Sequence, residues 1–214
     1  MKKCYLCEAT EFTLRHVGVR DNPNINVLEC RNCGLVTLDD FSQITDHFYE
    51  ESSMHQDIEV PIDEWLVETH HDDARRFNAL KQKIIGKNVL DFGCGAGGFV
   101  KLCQGSANSV AGVELETRVI DYWKQKLNIT SSIPSHQKYD IITSFHVFEH
   151  LKDPLDHMQK LHNSLTDSGE LIVEVPNADD ALLNLYDCNE FKKFSYWGQH
   201  LFLYNANNLK QMAK

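Results

Sequence analysis

The sequence predicts an α/β fold built on a doubly wound, mostly parallel sheet, with a small metal-binding module before it. From about residue 88 onward, strand and helix patterns alternate along the chain, which is typical of parallel sheets. Two C-x-x-C pairs lie within the first 33 residues. At 214 residues with 42% apolar side chains, the chain is long enough for one ordinary domain with an appendage. We therefore assign residues 1–60 to a zinc-binding module and connector, and residues 61–214 to the α/β domain.

The N-terminal cysteine pairs predict a structural metal site. Cys4 and Cys7 form the first pair, and Cys30 and Cys33 form the second after 22 intervening residues. Four thiolates fill the tetrahedral shell of Zn²⁺ with no open position, although four thiolates also bind iron. Gly34 suits the left-handed backbone that such a knuckle often requires. A module of this size has little core of its own, so we expect metal binding to supply much of its folding energy.

The α/β region begins with an amphipathic helix from Trp65 to about Ile85, which Gly86 ends. A short strand over Val27 to Glu29 precedes it in the metal-binding module. The segments that follow are, in order, strand NVLDF, a glycine turn, helix GGFVKLCQ, strand SVAGVE, helix LETRVIDYWKQKL, short strand NITSS, strand YDIITSF, helix PLDHMQKLHNSL and strand GELIVEVP. A last helix begins at Asn205 or Asn207, either of which can cap it.

Charge and hydropathy argue against several classes of partner. A net charge of −10 and the lack of a basic run disfavour nucleic-acid binding, which depends on neutralising phosphates. No apolar run approaches the roughly 18–20 residues of a membrane span, and the N-terminus lacks a signal peptide. We therefore expect a cytoplasmic protein with no membrane span, whose oligomeric state the sequence leaves open.

The glycine-rich stretch after the first strand of the sheet fits two nucleotide cofactors. Gly93, Gly95 and Gly98 satisfy the dinucleotide pattern G-x-G-x-x-G. Asp91 with Gly93, Gly95 and Gly97 satisfies the pattern D-x-G-x-G-x-G of an S-adenosylmethionine loop. A carboxylate at Asp91 would repel a pyrophosphate but attract the ammonium and sulfonium of S-adenosylmethionine. Asp91 therefore favours S-adenosylmethionine.

Four stretches together resemble the successive motifs of class I S-adenosylmethionine-dependent methyltransferases, which have a Rossmann-like sheet. They are VLDFGCGAGGF, GVELE, YDIITSFHVFEHLKDP and GELIVEVPN, within about residues 87–177. The resemblance implies that the loop passes under the methionine part of the cofactor, and that Glu114 takes the ribose diol. Asp91 would lie near the amino group or its bound water. The cofactor-binding residues expected for S-adenosylmethionine, and for S-adenosylhomocysteine as product, are Asp91, Gly93, Cys94, Gly95, Gly97, Glu114, Leu115 and Phe145.

The segment after the strand YDIIT offers candidates for acceptor chemistry, because ligands bind beyond the carboxyl ends of parallel strands. Methyl transfer is an in-line displacement, and a hydroxyl acceptor must also lose a proton, which histidine can take near neutral pH. The chain resembles zinc-containing sugar methyltransferases, in which a histidine of a Glu-His pair is the proposed base. On that basis we expect His150 to be the base, Glu149 to orient it, and His146 to be the second candidate. Alternatively, His150 caps the following turn and catalysis rests on proximity.

A second patch, FSYWGQHLFLYNANNL, resembles the family segment after the fifth strand. Tyr196, Trp197 and His200 either form a wall on which a sugar stacks or pack a loop against the sheet. The family fold also ends in an antiparallel hairpin that this sequence has no room for. We therefore expect the α/β domain to be truncated at its C-terminus.

The resemblance implies a function. Sugar-modifying relatives carry an N-terminal four-cysteine domain that helps to shape the acceptor site. We expect methyl transfer from S-adenosylmethionine to a small molecule, namely a hydroxyl or carbon of an activated sugar or polysaccharide precursor, with nucleotide sugars among the candidates. The alternatives are an RNA or protein methyltransferase and a non-catalytic S-adenosylmethionine-binding zinc adaptor.

Overall fold

The computed structural model describes residues 2–45, 48–50 and 60–214, so most of the predicted connector lies outside the described residues. The described residues form two compact units. One unit comprises residues 2–45, 146–158 and 175–214, and the other comprises residues 48–50, 60–145 and 159–174. The predicted division at residue 60 remains a prediction, but the compact units do not divide the chain there.

Strands and helices alternate in the middle of the chain as the sequence predicts. The strands are β1 Phe12–His16, β2 Val27–Cys30, β3 Val36–Leu38, β4 Asn88–Phe92, β5 Ser109–Val113, β6 Ile129–Thr130, β7 Tyr139–Phe145, β8 Leu165–Glu174 and β9 Phe202–Leu203. The helices are α1 Ile62–Ile84, α2 Gly98–Cys103, α3 Thr117–Trp123, α4 Pro154–Ser164, α5 Ala181–Asn184, α6 Asn189–Ser195 and α7 Ala206–Met212. A single 3₁₀ turn spans Phe148–His150.

One unit contains a five-stranded sheet in the order β6-β5-β4-β7-β8. Every neighbouring pair in it is parallel. The chain starts this sheet in the middle at β4, builds outward to β6, and then crosses to β7 and β8. The predicted α/β, doubly wound, Rossmann-like fold is therefore confirmed. In such sheets ligands bind at the carboxyl ends of the strands, where the strand order reverses.

Buried apolar side chains pack helices α1, α2 and α3 against this sheet. One cluster joins residues of α1, α2, β4 and β7, namely Ile84, Val89, Phe99, Cys103 and Ile141. A second cluster joins the glycine loop to α3 and β6 through Ile62, Cys94, Val100, Val119, Trp123, Leu127 and Ile129. Burying a large apolar side chain contributes about 1.5–3 kcal/mol. This packing fixes the ends of β4 and β5, where the glycine loop begins.

Element boundaries follow local chemistry. The strands β4 and β7 coincide with the predicted segments, and β6 is the predicted short strand. Helix α1 begins earlier than predicted, directly after Pro61, whose φ of −55° suits a helix start. Helix α3 ends at Trp123, earlier than predicted, and the Trp123 carbonyl accepts the N–H groups of Lys126 and Leu127 in the turn that follows.

The other unit contains a four-stranded antiparallel sheet in the order β1-β2-β3-β9. The N-terminal cysteine segment supplies β1 to β3, and the predicted strand before the second cysteine pair is β2. Strand β9 comes from the far end of the sequence and pairs Val36 with Leu203 and Thr37 with Phe202. Strand β9 was not predicted from the sequence, because its two residues are too few to show an alternation of apolar and polar side chains.

Side chains also join the N-terminal and C-terminal segments of this unit. Arg15 donates hydrogen bonds to the Tyr196 hydroxyl at 2.9 Å, the Ala178 carbonyl at 2.6 Å and the Asn184 side chain at 2.6 Å. Helix α7 is capped by Asn205, which forms a reciprocal capping box with Asn208. This settles which of the two predicted asparagines begins the helix.

None of the helices among the described residues is long and apolar enough to cross a bilayer.

Candidate functional site

The glycine loop leaves the carboxyl end of β4 in a conformation that only glycines adopt readily. Gly93, Gly95 and Gly97 have φ angles of +75°, +50° and +83°. The backbone N–H groups of Gly93 and Cys94 both donate to the Val113 carbonyl at the end of β5, at 2.8 and 3.0 Å. The loop is therefore anchored between the two strands whose carboxyl ends the sequence analysis assigned to the cofactor.

Glu114 follows β5 and binds the same loop. Its Oε2 accepts the N–H of Gly95 at 2.8 Å, and its Oε1 accepts the N–H groups of Leu115 at 2.7 Å and Glu116 at 3.2 Å. Burial raises the pKa of Glu114, and these three backbone hydrogen bonds oppose the rise. A carboxylate has about four acceptor positions, so Glu114 keeps about one of them for a ligand hydroxyl while it shapes the loop.

Asp91 lies in β4, paired with Gly112 of β5 and Thr143 of β7. Its Oδ1 accepts the Thr143 hydroxyl at 2.7 Å. Burial and the charges of Asp73 and Glu114 raise the pKa of Asp91, the Thr143 hydrogen bond and Arg76 lower it, and the net value is about 7. Three carboxyl groups thus share this neighbourhood with one guanidinium. Such a field favours a cationic ligand over a pyrophosphate.

Two side chains of α1 lie against the loop, and the sequence analysis did not identify them. A Cβ on Gly95 would lie 3.3 Å from the Trp65 ring, and a Cβ on Gly98 would clash with the Asp73 carboxylate. Asp73 also accepts the Thr69 hydroxyl at 2.9 Å. Asp73 could have been identified from the sequence, because it is an acidic residue on the otherwise apolar face of this amphipathic helix.

Of the other predicted cofactor residues, Phe145 and Cys94 are packed against neighbouring side chains and Leu115 is exposed. Phe145 contacts Phe99 edge-to-face at 5.1 Å, and the Arg76 guanidinium lies 4.8 Å from its ring centre. Cys94 is buried in the loop, and the Leu115 side chain is 42% exposed. Direct contact of these three side chains with a cofactor stays a prediction.

The predicted catalytic residues gather around one buried carboxylate. His146 has a φ of +56°, and its Nδ1–H donates to Oε1 of Glu149 at 3.1 Å. Glu149 is fully buried. Burial raises the pKa of Glu149, but the hydrogen bond from His146 and the nearby imidazoles of His150 and His200 lower it overall. The carboxylate is therefore held in its charged form.

The structure adds His200 to this group. The Nδ1–H of His150 donates to the Gln199 carbonyl at 2.9 Å, and that of His200 donates to the Ser195 carbonyl at 2.9 Å. Burial lowers the pKa of both rings, with that of His200 falling to about 4. Both imidazoles are thus neutral near pH 7. His150 thus lies in the 3₁₀ turn, and its ring is also hydrogen-bonded to the carbonyl of Gln199, the residue before His200.

The aromatic patch divides into two parts. The Tyr196 ring is buried 5.0 Å from His16, and its hydroxyl accepts a hydrogen bond from Arg15. Tyr196 therefore packs a loop, which is the second of the two alternatives predicted for this patch. Trp197 lies 5.4 Å from His200 and stacks under the Arg20 guanidinium at 4.2 Å.

The four N-terminal cysteines converge. One sulfur from each of Cys4, Cys7, Cys30 and Cys33 lies within 4.8 Å of all the others. The Cys4–Cys33 and Cys7–Cys30 sulfur distances are 3.5 and 3.6 Å. Zn–S bonds of about 2.3 Å in a tetrahedron separate sulfurs by about 3.8 Å. The spacing therefore fits a tetrahedral metal.

Each cysteine pair forms the same turn. The residue after the second cysteine is left-handed in both, with φ of +58° at Glu8 and +71° at Gly34. The N–H groups of these residues donate to the carbonyls of Cys4 and Cys30 at 2.9 Å. The sequence predicted this conformation at Gly34 and did not identify it at Glu8, because a left-handed glutamate is uncommon.

The thiols of the turns differ in acidity. Burial raises the pKa of Cys4 and Cys33. Burial also raises the pKa of Cys7, but hydrogen bonds from Asn32, Ala9 and the neighbouring cysteines lower it to about 6. A thiolate is thus available at neutral pH to begin metal binding.

Comparison with known proteins places most of this chain in one family model. The model described as a methyltransferase domain, Methyltransf_23, matches residues 69–214. The matched region begins within α1 and includes the glycine loop, Glu114 and the Glu149 group.

Two kinds of curated bacterial relative are similar to part of the chain. A ubiquinone biosynthesis O-methyltransferase from Haemophilus ducreyi is 26% identical over 122 residues, which are 48% of this chain and 52% of that protein. A tRNA U34 carboxymethyltransferase from Aeromonas salmonicida is 27% identical over 105 residues, which are 42% of this chain and 32% of that protein. The match thus spans about half of the first relative and about a third of the second.

Among solved structures, the plantazolicin methyltransferase BpumL, in complex with a monoazolic desmethylPZN analog and S-adenosylhomocysteine, has the same fold. Its TM-score is 0.56 at 16% identity, and the alignment covers 78% of this chain and 70% of that chain.

Proposed function

We propose, on the premise that this chain belongs to the methyltransferase-domain family, that it transfers the methyl group of S-adenosylmethionine to a small molecule. The observation that carries the proposal is the glycine loop, which Glu114 holds by the Gly95 N–H next to the buried Asp91. The negative field of this loop suits the ammonium and sulfonium of the cofactor. The carboxylate of Glu114 would accept the ribose hydroxyls, and Asp91 would lie near the cofactor's amino group or its bound water.

We assign the acceptor's proton to the histidine group. In methyl transfer to a hydroxyl, the S–CH₃ bond breaks, an O–CH₃ bond forms and the hydroxyl proton must leave. His150 suits this role because its Nδ1–H is committed to the Gln199 carbonyl, which places the lone pair on Nε2. Its lowered pKa keeps the ring neutral and able to accept a proton. Glu149 would orient the group, and His146 is the second candidate for the base.

His150→Gln tests this assignment, because it removes the basic nitrogen and keeps a polar side chain. We expect turnover to fall by about 100-fold or more, with S-adenosylmethionine affinity within about twofold of wild type. The matched control is His162→Gln, since His162 is an exposed residue of α4. Wild-type turnover in His150→Gln would remove His150 as the base.

The proposed acceptor is a hydroxyl or carbon of an activated sugar or polysaccharide precursor. Support comes from the four-cysteine turns that precede the methyltransferase region, as in the sugar methyltransferases that the sequence resembles. We propose that the turns hold Zn²⁺, on the support of the sulfur distances of 3.5 and 3.6 Å. We expect metal analysis of the purified protein to find one zinc ion, and no iron, bound at the cysteines of each chain.

A panel of acceptors tests the substrate class. The full chain would be given S-adenosylmethionine with nucleotide sugars, with phenolic quinone precursors, or with tRNA, and S-adenosylhomocysteine release would be measured. We expect release with a nucleotide sugar. Cofactor binding by calorimetry without release from any acceptor would favour the non-catalytic adaptor.

RNA is the second candidate acceptor, because tRNA U34 carboxymethyltransferases are among the relatives of the matched region. The net charge of −10 disfavours it. Filter binding of tRNA at low and at physiological salt distinguishes the two. Tight, salt-sensitive binding would favour RNA over a sugar.

A further inference from the structure

Glu149, His150 and His200 bring a carboxylate and two imidazoles together in the protein interior. All three residues are at most 8% exposed. One ligand atom from each lies within 4.8 Å of the other two. We propose that these three residues bind a divalent transition-metal ion and leave it an open coordination position.

The carboxylate is the first reason. Glu149 is 0% exposed, and its Oε1 is paired with Nδ1 of His146. Its Oε2 has no hydrogen-bond partner among the described residues. A buried carboxylate oxygen without a partner is costly, since charged groups in protein interiors are paired, hydrogen-bonded or bound to metal. A cation at Oε2 would satisfy it.

The two imidazoles are the second reason. In His150 and His200 alike, Nδ1–H donates to a backbone carbonyl, at 2.9 Å in each case. This fixes the tautomer and places the lone pair on Nε2. Metal-binding histidines in proteins are oriented in the same way, by a carbonyl or carboxylate at the nitrogen that does not bind the metal.

The spacing requires only small movements. Bonds of about 2.1 Å place the ligand atoms of a tetrahedral ion about 3.4 Å apart. The ligand atoms now lie within 4.8 Å of one another, so each pair would have to approach by about 1.4 Å at most. The centres of the His150 and His200 rings already lie 5.0 Å apart, in an edge-to-face arrangement.

Ligand type and number select the ion. Two imidazoles and one carboxylate suit Zn²⁺, Fe²⁺, Co²⁺ or Mn²⁺, whereas Mg²⁺ and Ca²⁺ prefer oxygen. Three protein ligands leave a position for an exogenous oxygen, unlike the closed shell of four cysteines. Binding itself is independent of the proposed function. A role for the ion in activating the acceptor hydroxyl rests on that function.

The site changes the role of His150. When the ion is bound, the Nε2 lone pair belongs to the metal and cannot accept a proton. An acceptor oxygen in the open position would then lose its proton more readily, because a bound cation lowers the pKa of its ligand. His146, the second candidate for the base, donates its Nδ1–H to Oε1 of Glu149 and would then take that proton at Nε2.

Cobalt titration of the zinc-loaded full chain tests the site, because Co²⁺ bound to thiolates gives intense charge-transfer bands and Co²⁺ bound to nitrogen and oxygen does not. We expect one equivalent of Co²⁺ with d–d bands and no thiolate bands. In Glu149→Gln and in His200→Gln we expect a fall in Co²⁺ affinity of about 100-fold or more. The matched controls Glu190→Gln and His162→Gln change exposed residues and should bind Co²⁺ as wild type does. Wild-type protein that takes up no such cobalt, or ligand variants that bind it unchanged, would overturn the site.

A measurement on the wild-type chain covers the case in which the buried variants do not fold. In long-range ¹H–¹⁵N spectra, a second equivalent of Zn²⁺ should shift the Nε2 resonances of two histidines whose Nδ1 stays protonated. No such pair of shifts would overturn the site. S-adenosylmethionine binding and turnover, measured alongside, separate the two proposals. A chain that binds cobalt without turnover keeps the site and contradicts the proposed function, while turnover without cobalt binding does the reverse.

Discussion

A carboxyl group in the middle of a parallel sheet is costly, and Asp91 is one. It is 2% exposed, and its pKa is raised to about 7 by burial and by the charges of Asp73 and Glu114. Because the folded state holds its proton more tightly than the unfolded state, Asp91 contributes less stability as pH rises from about 4 to 7. An apolar residue would stabilise β4 better. A cationic ligand explains why an acid in this place is useful.

The pH dependence of cofactor affinity should report Asp91. A group with a pKa of about 7 is about one-tenth ionised at pH 6 and about nine-tenths at pH 8. A cation binds the ionised form, so S-adenosylmethionine affinity should rise by up to about tenfold between these values. Calorimetry at the two pH values measures this.

The control for this prediction is Asp91→Asn, which keeps the shape and can still accept the Thr143 hydroxyl. We expect it to bind S-adenosylmethionine weakly at both pH values, with no rise, and to be at least as stable as wild type at pH 8. A wild-type affinity that falls with pH would contradict the assignment of Asp91 to the cofactor's cation.

At this scale the sequence predicted pairs that are close along the chain. Asp91 and the glycines are adjacent, and so are Glu149 and His150. It did not place His200 with Glu149, because that contact depends on how residues 175–214 return to the 3₁₀ turn. It also did not place Trp65 and Asp73 on the glycine loop. Helix periodicity shows which residues share one face of a helix, but it does not show what that face packs against.

At the scale of elements, the start of α2 depends on the backbone conformation of Gly97. Gly97 caps the helix with a φ of +83°. A Cβ there would lie 2.7 Å from Nε1 of Trp123, whose N–H donates to the Ala96 carbonyl at 2.8 Å. The glycine loop, α2 and Trp123 of α3 can therefore pack this closely only because residue 97 has no side chain.

Gly97→Ala should destabilise the protein by about 2–3 kcal/mol, from the left-handed backbone and the disturbed Trp123 hydrogen bond. It should also weaken S-adenosylmethionine binding. Denaturant unfolding and calorimetry measure the two effects. Gly105→Ala is the matched control, since a Cβ there meets nothing within 4 Å. Equal stabilities of the two variants would show that the loop tolerates a side chain at Gly97.

Helix α7 is tied to the second cysteine turn by Asn208. Its Nδ2 donates to the Cys33 carbonyl at 2.8 Å, its Oδ1 accepts the Asn205 N–H at 3.1 Å, and the residue is fully buried. Asn208→Ala should cost about 2–3 kcal/mol, because it leaves buried backbone groups without partners. It should also speed zinc loss to a chelator. Asn207→Ala changes an exposed neighbour and should stay within about 0.5 kcal/mol of wild type, so equal zinc loss in both would contradict the coupling.

Long elements were predictable and short ones were not. Strands β4 and β7 carry apolar runs bounded by turn residues, and both coincide with their predicted segments. Strand β9 and helix α5 have two and four residues, too few to show a period. These elements take their structure from contacts made by distant parts of the chain.

At the scale of the molecule, sequence order and compact units diverge. A boundary at residue 60 predicts that the residues after it fold by themselves. The N-terminal segment, however, supplies three of the four strands in the antiparallel sheet, and β9 supplies the fourth. Arg15 adds hydrogen bonds to three residues between 178 and 196.

A chain of residues 60–214 should therefore keep the parallel sheet and lose order in residues 175–214. Without β3, strand β9 loses its antiparallel partner, and the side chains around it become exposed. These are Leu201, Phe202, Leu203 and Tyr204, each at most 2% exposed in the full chain. Each such exposure costs about 1.5–3 kcal/mol, which a two-residue strand cannot offset. Limited proteolysis with mass spectrometry should show cuts within 175–214 in the shortened chain that are absent from the full chain. Equal protection of both chains would support the boundary at residue 60 and would show that the N-terminal strands are dispensable for the C-terminal segment.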